Sequence, residues 1–132
     1  SGDFRIDVGN EAQQELQKKL QQLADERIEH AMADIKTRLK DHLARMSDRL
    51  SVDTVGGELK TRMFHNSLLD TAHELCSLSK DLNITQDAEL EQARVALKNA
   101  ISGIAVDDLR KDIPTRNEVK KEVDAILSKF NF

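Results

Sequence analysis

Apolar residues recur along most of this chain at steps of three and four. From Ala12 to Leu50 neither Gly nor Pro intervenes, and Leu16, Leu20, Leu23, Ala24, Ile28, Met32, Ile35, Leu39, Leu43, Met46 and Leu50 follow one another at that spacing. The pattern predicts one helix over residues 11–50, about 60 Å long at about 1.5 Å per residue, which exceeds the span of a compact domain of this size. The stripe changes direction along the way. Ile28, Leu39 and Leu50 stand eleven residues apart, a period near 3.67 that runs almost straight along the helix, whereas Leu16, Leu20 and Leu23 point about 80 to 140° away from Ile28 at about 100° per residue. The two halves therefore face different partners: the second is expected to pack within the domain, and the first to offer a seam to another chain or to a further part of a larger parent protein.

Ahead of this helix, Phe4-Arg5-Ile6-Asp7-Val8 alternates apolar and polar residues with the period of a strand, and Gly9-Asn10 closes the run. This predicts an extended arm over residues 1–10, with Ser1-Gly2 reading as a cloning remnant. Asn10 and Gln13 have the spacing of a capping box for the long helix. After it, Ser51 to Gly57 reads as a turn around Gly56-Gly57. A second helix is expected over 58–82 with Phe64, Leu68, Ala72, Leu75, Leu78 and Leu82 on its apolar face, widened by Leu69 and Cys76. A third, over 87–102, is capped by Thr85 or Asp87, carries Leu90, Ala93, Leu97, Ala100, Ile101 and Ile104, and stops at Gly103. A short helix over 106–112 ends before Pro114. Thr115-Arg116-Asn117-Glu118 has the form of a capping box for a last helix over 115–130 that buries Val119, Val123, Ile126, Leu127 and Phe130. The sum is an all-α fold, an antiparallel helical bundle with one overlong N-terminal helix and a short extended arm, residues 11–132 forming one domain.

Composition sharpens this picture. With 132 residues the chain makes one domain, and 33% charged against 3% aromatic residues is the composition of long exposed helices. Twenty Lys and Arg against twenty-four Asp and Glu leave a net charge of −4, which is no nucleic-acid-binding total. No apolar run approaches the roughly 20 residues that cross a bilayer, so no membrane association is expected. The lone Cys76 has no partner for an internal disulfide, which fits a reducing, cytoplasmic setting.

Candidate chemistry is sparse. His73 and Cys76 are three apart on one helix face and suit zinc, but His65 stands about 16 Å away along the axis and no paired close spacing supplies further ligands. Cys76 reads instead as a small buried apolar residue. His73-Glu74 opens like the metalloprotease helix, yet residue 77 is Ser where the second histidine belongs. Gly56-Gly57 lacks the Gly-Lys-Ser/Thr of a phosphate loop. No catalytic, metal or cofactor residues are assigned. Arg38, His42, Arg45 and Arg49, stepping by 4, 3 and 4, make a basic ridge that could take an anion, although Asp34 and Asp41 stand in position to pair with Arg38 and Arg45. Without Trp or Tyr there is no platform on which bases would stack.

Phe64-His65-Asn66-Ser67-Leu68-Leu69, Leu75-Cys76, the run from Leu82 to Leu90, Leu109-Arg110 and Ala125-Ile126-Leu127 resemble the C-terminal helical region of uncharacterised phage and mobile-element proteins. The resemblance spans residues 64–127 and implies a phage-type origin and a place beside a larger assembly. Ala88 stands where those proteins often carry Pro. The functional expectation is a non-enzymatic protein-protein interaction or oligomerisation module, a homo-oligomer or the partner of another protein, binding through Phe4, Ile6, Val8, Leu16, Leu20 and Leu23. The alternative is nucleic-acid binding through the Arg38 to Arg49 ridge.

Overall fold

The computed structural model describes the backbone of residues 2–130 and the side chains of residues 9–130. The protein is mostly α-helical: α1 (Gly2–Leu50), a hairpin of β1 (Val52–Val55) and β2 (Glu58–Thr61), α2 (Asn66–Asp81), α3 (Ala88–Ile101), α4 (Val106–Lys111) and α5 (Ile113–Lys129). α1 packs on α5 and α2, and α3 packs on both α2 and α5. One apolar interior runs between them. Met32, Ile35, Leu39, Leu43, Met46 and Leu50 enter it from α1, meeting Leu68, Ala72 and Leu75 of α2, Leu90, Ala93 and Leu97 of α3, and Val119, Val123 and Ile126 of α5.

Two segments differ from what the sequence pattern predicts. The backbone of residues 2–8 continues α1 rather than forming an extended arm. A lone strand leaves its backbone groups unpaired, whereas a helix already nucleated gains one hydrogen bond for each residue added, and this outweighs the cost of about 1 kcal/mol for Gly9 inside it. Asn10 and Gln13 consequently lie within the helix and cap nothing.

The second difference is the hairpin at 52–61, where the predicted second helix begins at 58. Val52 pairs with Thr61, Asp53 with Lys60, Thr54 with Leu59 and Val55 with Glu58. Gly56 (φ +61°) and Gly57 (φ +82°) are the two central residues of the turn, and positive φ at both is what a two-residue hairpin of the right twist requires. An isolated two-stranded ribbon is marginal in water. Arg62 fastens this one: it donates from Nε and Nη2 to both carboxylate oxygens of Asp53 at 3.0 Å, and from Nη1 to the backbone and side-chain oxygens of Asp48 at the end of α1. Phe64 then turns fully into the core, and α2 starts two residues later.

The later helix ends use other devices. Asp87 caps α3, accepting from Leu90 N at 3.0 Å, and its carboxylate also takes Lys36 Nζ of α1. Gly103, at φ +71°, follows the end of α3. At the α4–α5 junction, α4 ends at Lys111, ahead of Pro114, and Pro114 sits in the first turn of α5, where its missing N–H costs nothing. Thr115 is therefore inside the helix, its hydroxyl bonded to the Asp112 carboxylate, and the Thr115 to Glu118 capping box does not form.

Candidate interaction surfaces

α1 is 49 residues long, about 74 Å at 1.5 Å per residue, and only its second half is packed. Every residue from Gly9 to Arg27 is exposed, so this stretch stands clear of the core as a helical stalk. Within it Leu16, Leu20 and Leu23 are 57%, 56% and 54% exposed, three large apolar side chains on one face that no described residue covers. Phe4, Ile6 and Val8, grouped with them by sequence, lie outside the described side chains, and the helical backbone there removes the arm on which they were expected.

The basic ridge divides. His42 is buried, and its Nε2 donates to the Leu68 carbonyl of α2 at 2.8 Å, so it joins two helices instead of facing solvent. Burial holds its pKa below the usual histidine value; the hydrogen bond to Leu68 opposes this and the charge of Arg45 adds to it. Arg38, Arg45 and Arg49 remain exposed. The intrahelical pairs Asp34–Arg38 and Asp41–Arg45 do not close, and none of the ion pairs among the described residues involves these three arginines. Arg45 and Arg49 line a cleft of about 450 Å³ with Ala44, Asp48, His65, Ser67 and Leu68. α2 opens into it without a side-chain cap or an acidic residue in its first turn.

The His42 contact gives stability a pH dependence with a definite sign. The unfolded chain takes up the imidazole proton near pH 6.5, the folded chain only at lower pH, so stability is complete above 6.5 and falls with acidification through the lowered folded value. Asp53, Asp87, Glu91 and Asp124 have carboxyl pKa values below their ordinary 3.8 to 4.5, so they add their own loss only in more acidic solution. Urea unfolding at pH 7.5 and 5.5 is expected to show a loss of stability in the wild type and a smaller loss in His42→Gln; parallel losses would refute the assignment.

The remaining candidates do not come together. Cys76 is buried, with its Sγ toward the Arg94 carbonyl at 3.9 Å, and burial pushes its thiol pKa up, the opposite of a reactive thiolate. His65, just ahead of α2, and His73 on α2 are exposed, and no group of three potential metal ligands is found among the described residues. No helix among them is long and apolar enough to cross a membrane.

Two features escaped the sequence pattern. Arg116 is fully buried, and a groove of about 470 Å³ lies between α3 and α5, where the small side chains of Ala96, Ala100 and Ala125 leave room beside Val95 and Phe130. The alanines were the available signal for the groove. Nothing in the sequence pattern marked the arginine. No protein family, curated protein or solved structure matches the chain. The functional reading therefore rests on the residues themselves.

Proposed function

We propose that this chain is a non-enzymatic helical association module, an antiparallel bundle that carries a long helical stalk and self-associates through the stalk's leucine face. The observation that supports it is the exposure of Leu16, Leu20 and Leu23 on a helix with no packing from Gly9 to Arg27. Helices this polar and this unsupported gain most of their stability by laying an apolar face against something else. Catalysis and cofactors have no part in this reading. A phage-type origin, a cytoplasmic setting and a place beside a larger assembly accompany it, drawn from the resemblance of residues 64–127 and from the lone cysteine. A second reading, nucleic-acid binding at Arg38, Arg45 and Arg49, is favoured by the unpaired state of those arginines. It stands behind the first because Asp34, Asp41 and Asp48 interleave with them on the same helix.

Sedimentation of the full chain at micromolar concentration tests the first reading. The wild type is expected to run larger than a monomer, and Leu20→Asp to run as a monomer that keeps the helical fold, because residue 20 is 56% exposed and lies outside the core. Association that persists in Leu20→Asp, or a monomeric wild type that the substitution leaves unchanged, would overturn it.

A further inference from the structure

Resting on that reading, we infer that the occupant of the leucine face is a second copy of this chain, its stalk running antiparallel, with Leu20 of each copy against the partner's Leu23. The steps of four and three from Leu16 to Leu23 set a heptad frame in which Leu20 is at position a and Leu16 and Leu23 are at d. The same frame puts Gln13 and Arg27 at a, Lys19 and Glu26 on one flank (g), and Gln17 and Ala24 on the other (e).

Charge then selects among the possible pairings. A parallel pair stacks like positions, so Arg27 would meet the partner's Arg27 inside the seam and Lys19 would find only the partner's Ala24. An antiparallel pair sets a against d, g against g and e against e. Two antiparallel registers bring the leucines together. With Leu20 opposite the partner's Leu16, Lys19 meets the partner's Lys19, like against like. With Leu20 opposite the partner's Leu23, Lys19 meets the partner's Glu26, and two-fold symmetry makes that contact twice. In this second register the other flank places Gln17 beside the partner's Ala24, small and neutral enough for close approach, and the aliphatic stem of Arg27 lies over the partner's Leu16.

The fold leaves room for this arrangement. The register sets residue 9 of one copy against residue 34 of the other, so the stalk is covered over its whole exposed length. Arg27, His30, Ala31 and Asp34, which continue the seam's direction, are all exposed. The face that α1 buries in its own bundle, from Met32 to Leu50, points about 130° away at about 100° per residue. Three leucines per copy make a small apolar centre, so the pair belongs with weak, reversible interfaces and forms at micromolar concentrations.

Charge reversal in the full chain at low salt tests this directly. Lys19→Glu and Glu26→Lys each replace two attractions with two repulsions and are expected to weaken dimerisation roughly tenfold or more, while the double variant restores it. In a parallel pair neither residue meets a charge and none of the three variants moves the equilibrium. Cysteine linking supplies a second readout, since Cys76 is buried and need not be replaced: a mixture of Leu20→Cys and Leu23→Cys proteins is expected to give the mixed disulfide in preference to either self-linked product. A dimer that Leu20→Asp abolishes but the charge reversals leave untouched, or one in which Leu20→Cys links chiefly to itself, overturns the antiparallel pairing and leaves the leucine face as the contact. A wild type that stays monomeric at hundreds of micromolar overturns both.

Discussion

Replacing Arg116 with Met is expected to lower the stability of the folded chain by about 3 kcal/mol, with a fall in melting temperature on the order of 10 °C. Arg116 is completely buried, and its guanidinium makes no ion pair among the described residues. Its partners are backbone carbonyls: Nη1 donates to Leu109 O of α4, and Nη2 to Arg49 O at 2.7 Å and Ser51 O at 3.3 Å, where α1 ends. Helix ends leave carbonyls without partners, and a cation there is favoured by the helix dipole, so this side chain of α5 closes the end of α1 from outside. Burial costs the charge some solvation and pushes the pKa of Arg116 down, and Nε finds no acceptor among the described residues. Methionine removes that cost but orphans three acceptors, at about 1 to 3 kcal/mol for each one left buried, so the loss outweighs the relief. Arg116→Lys keeps a charge but not the planar fork and is expected to fall between the two. Thermal unfolding of the three proteins checks the ranking, and a Met variant within about 0.5 kcal/mol of the wild type would show that the fork does not hold this junction.

Arg116 is one of several polar links placed between elements. Arg110 of α4 donates to Phe64 O at 2.9 Å and to the Asn66 side chain at 2.7 Å, joining α4 to the start of α2. Lys120 and Asp124 of α5 meet the Ser47 hydroxyl of α1. Lys36 of α1 meets Asp87 at the head of α3. Apolar stripes decide which faces are buried, and these links decide how far each helix slides along its neighbour.

That division of labour explains what was legible in the sequence. The stripe from Met32 to Leu50 fills the interior, as do Leu68, Ala72 and Leu75 and the α3 and α5 sets, because burial follows the period of apolar residues whatever the partner. The change of phase at Leu23 likewise marks the point where α1 leaves the core. The hairpin was hidden because Glu58 to Phe64 also fits a helical pattern, and only the positive φ of both glycines, a property of the folded backbone, settles the competition. Arg116 was hidden because its environment comes from the far end of α1 and from α4, sixty-seven and seven residues away. His42 read as a member of the basic ridge because it keeps the ridge's spacing, yet it stands next to Leu43 at the edge of the apolar stripe and goes inward to the Leu68 carbonyl.

The same truncation made twice on α1 separates its two halves energetically. Leu39 has no exposed surface and lies within the core, while Leu20 is 56% exposed on the stalk. Leu39→Ala removes a buried isobutyl group and leaves a cavity that the surrounding helices fill only in part, and is expected to cost about 2 to 5 kcal/mol. Leu20→Ala exposes no core and keeps helix propensity, which for Ala is the highest of all residues, so the cost to a monomer is expected to stay within about 0.5 kcal/mol. Concentration turns this contrast into a measurement of association as well. If the stalk is paired, part of the wild type's apparent stability comes by mass action from dimerisation and rises with protein concentration. Leu20→Ala is then expected to lose that dependence while matching the wild type at high dilution, whereas Leu39→Ala is lower at every concentration. Denaturant melts at two concentrations a hundredfold apart distinguish the cases, and equal losses from the two substitutions would contradict the division of α1 into a packed half and a docking half.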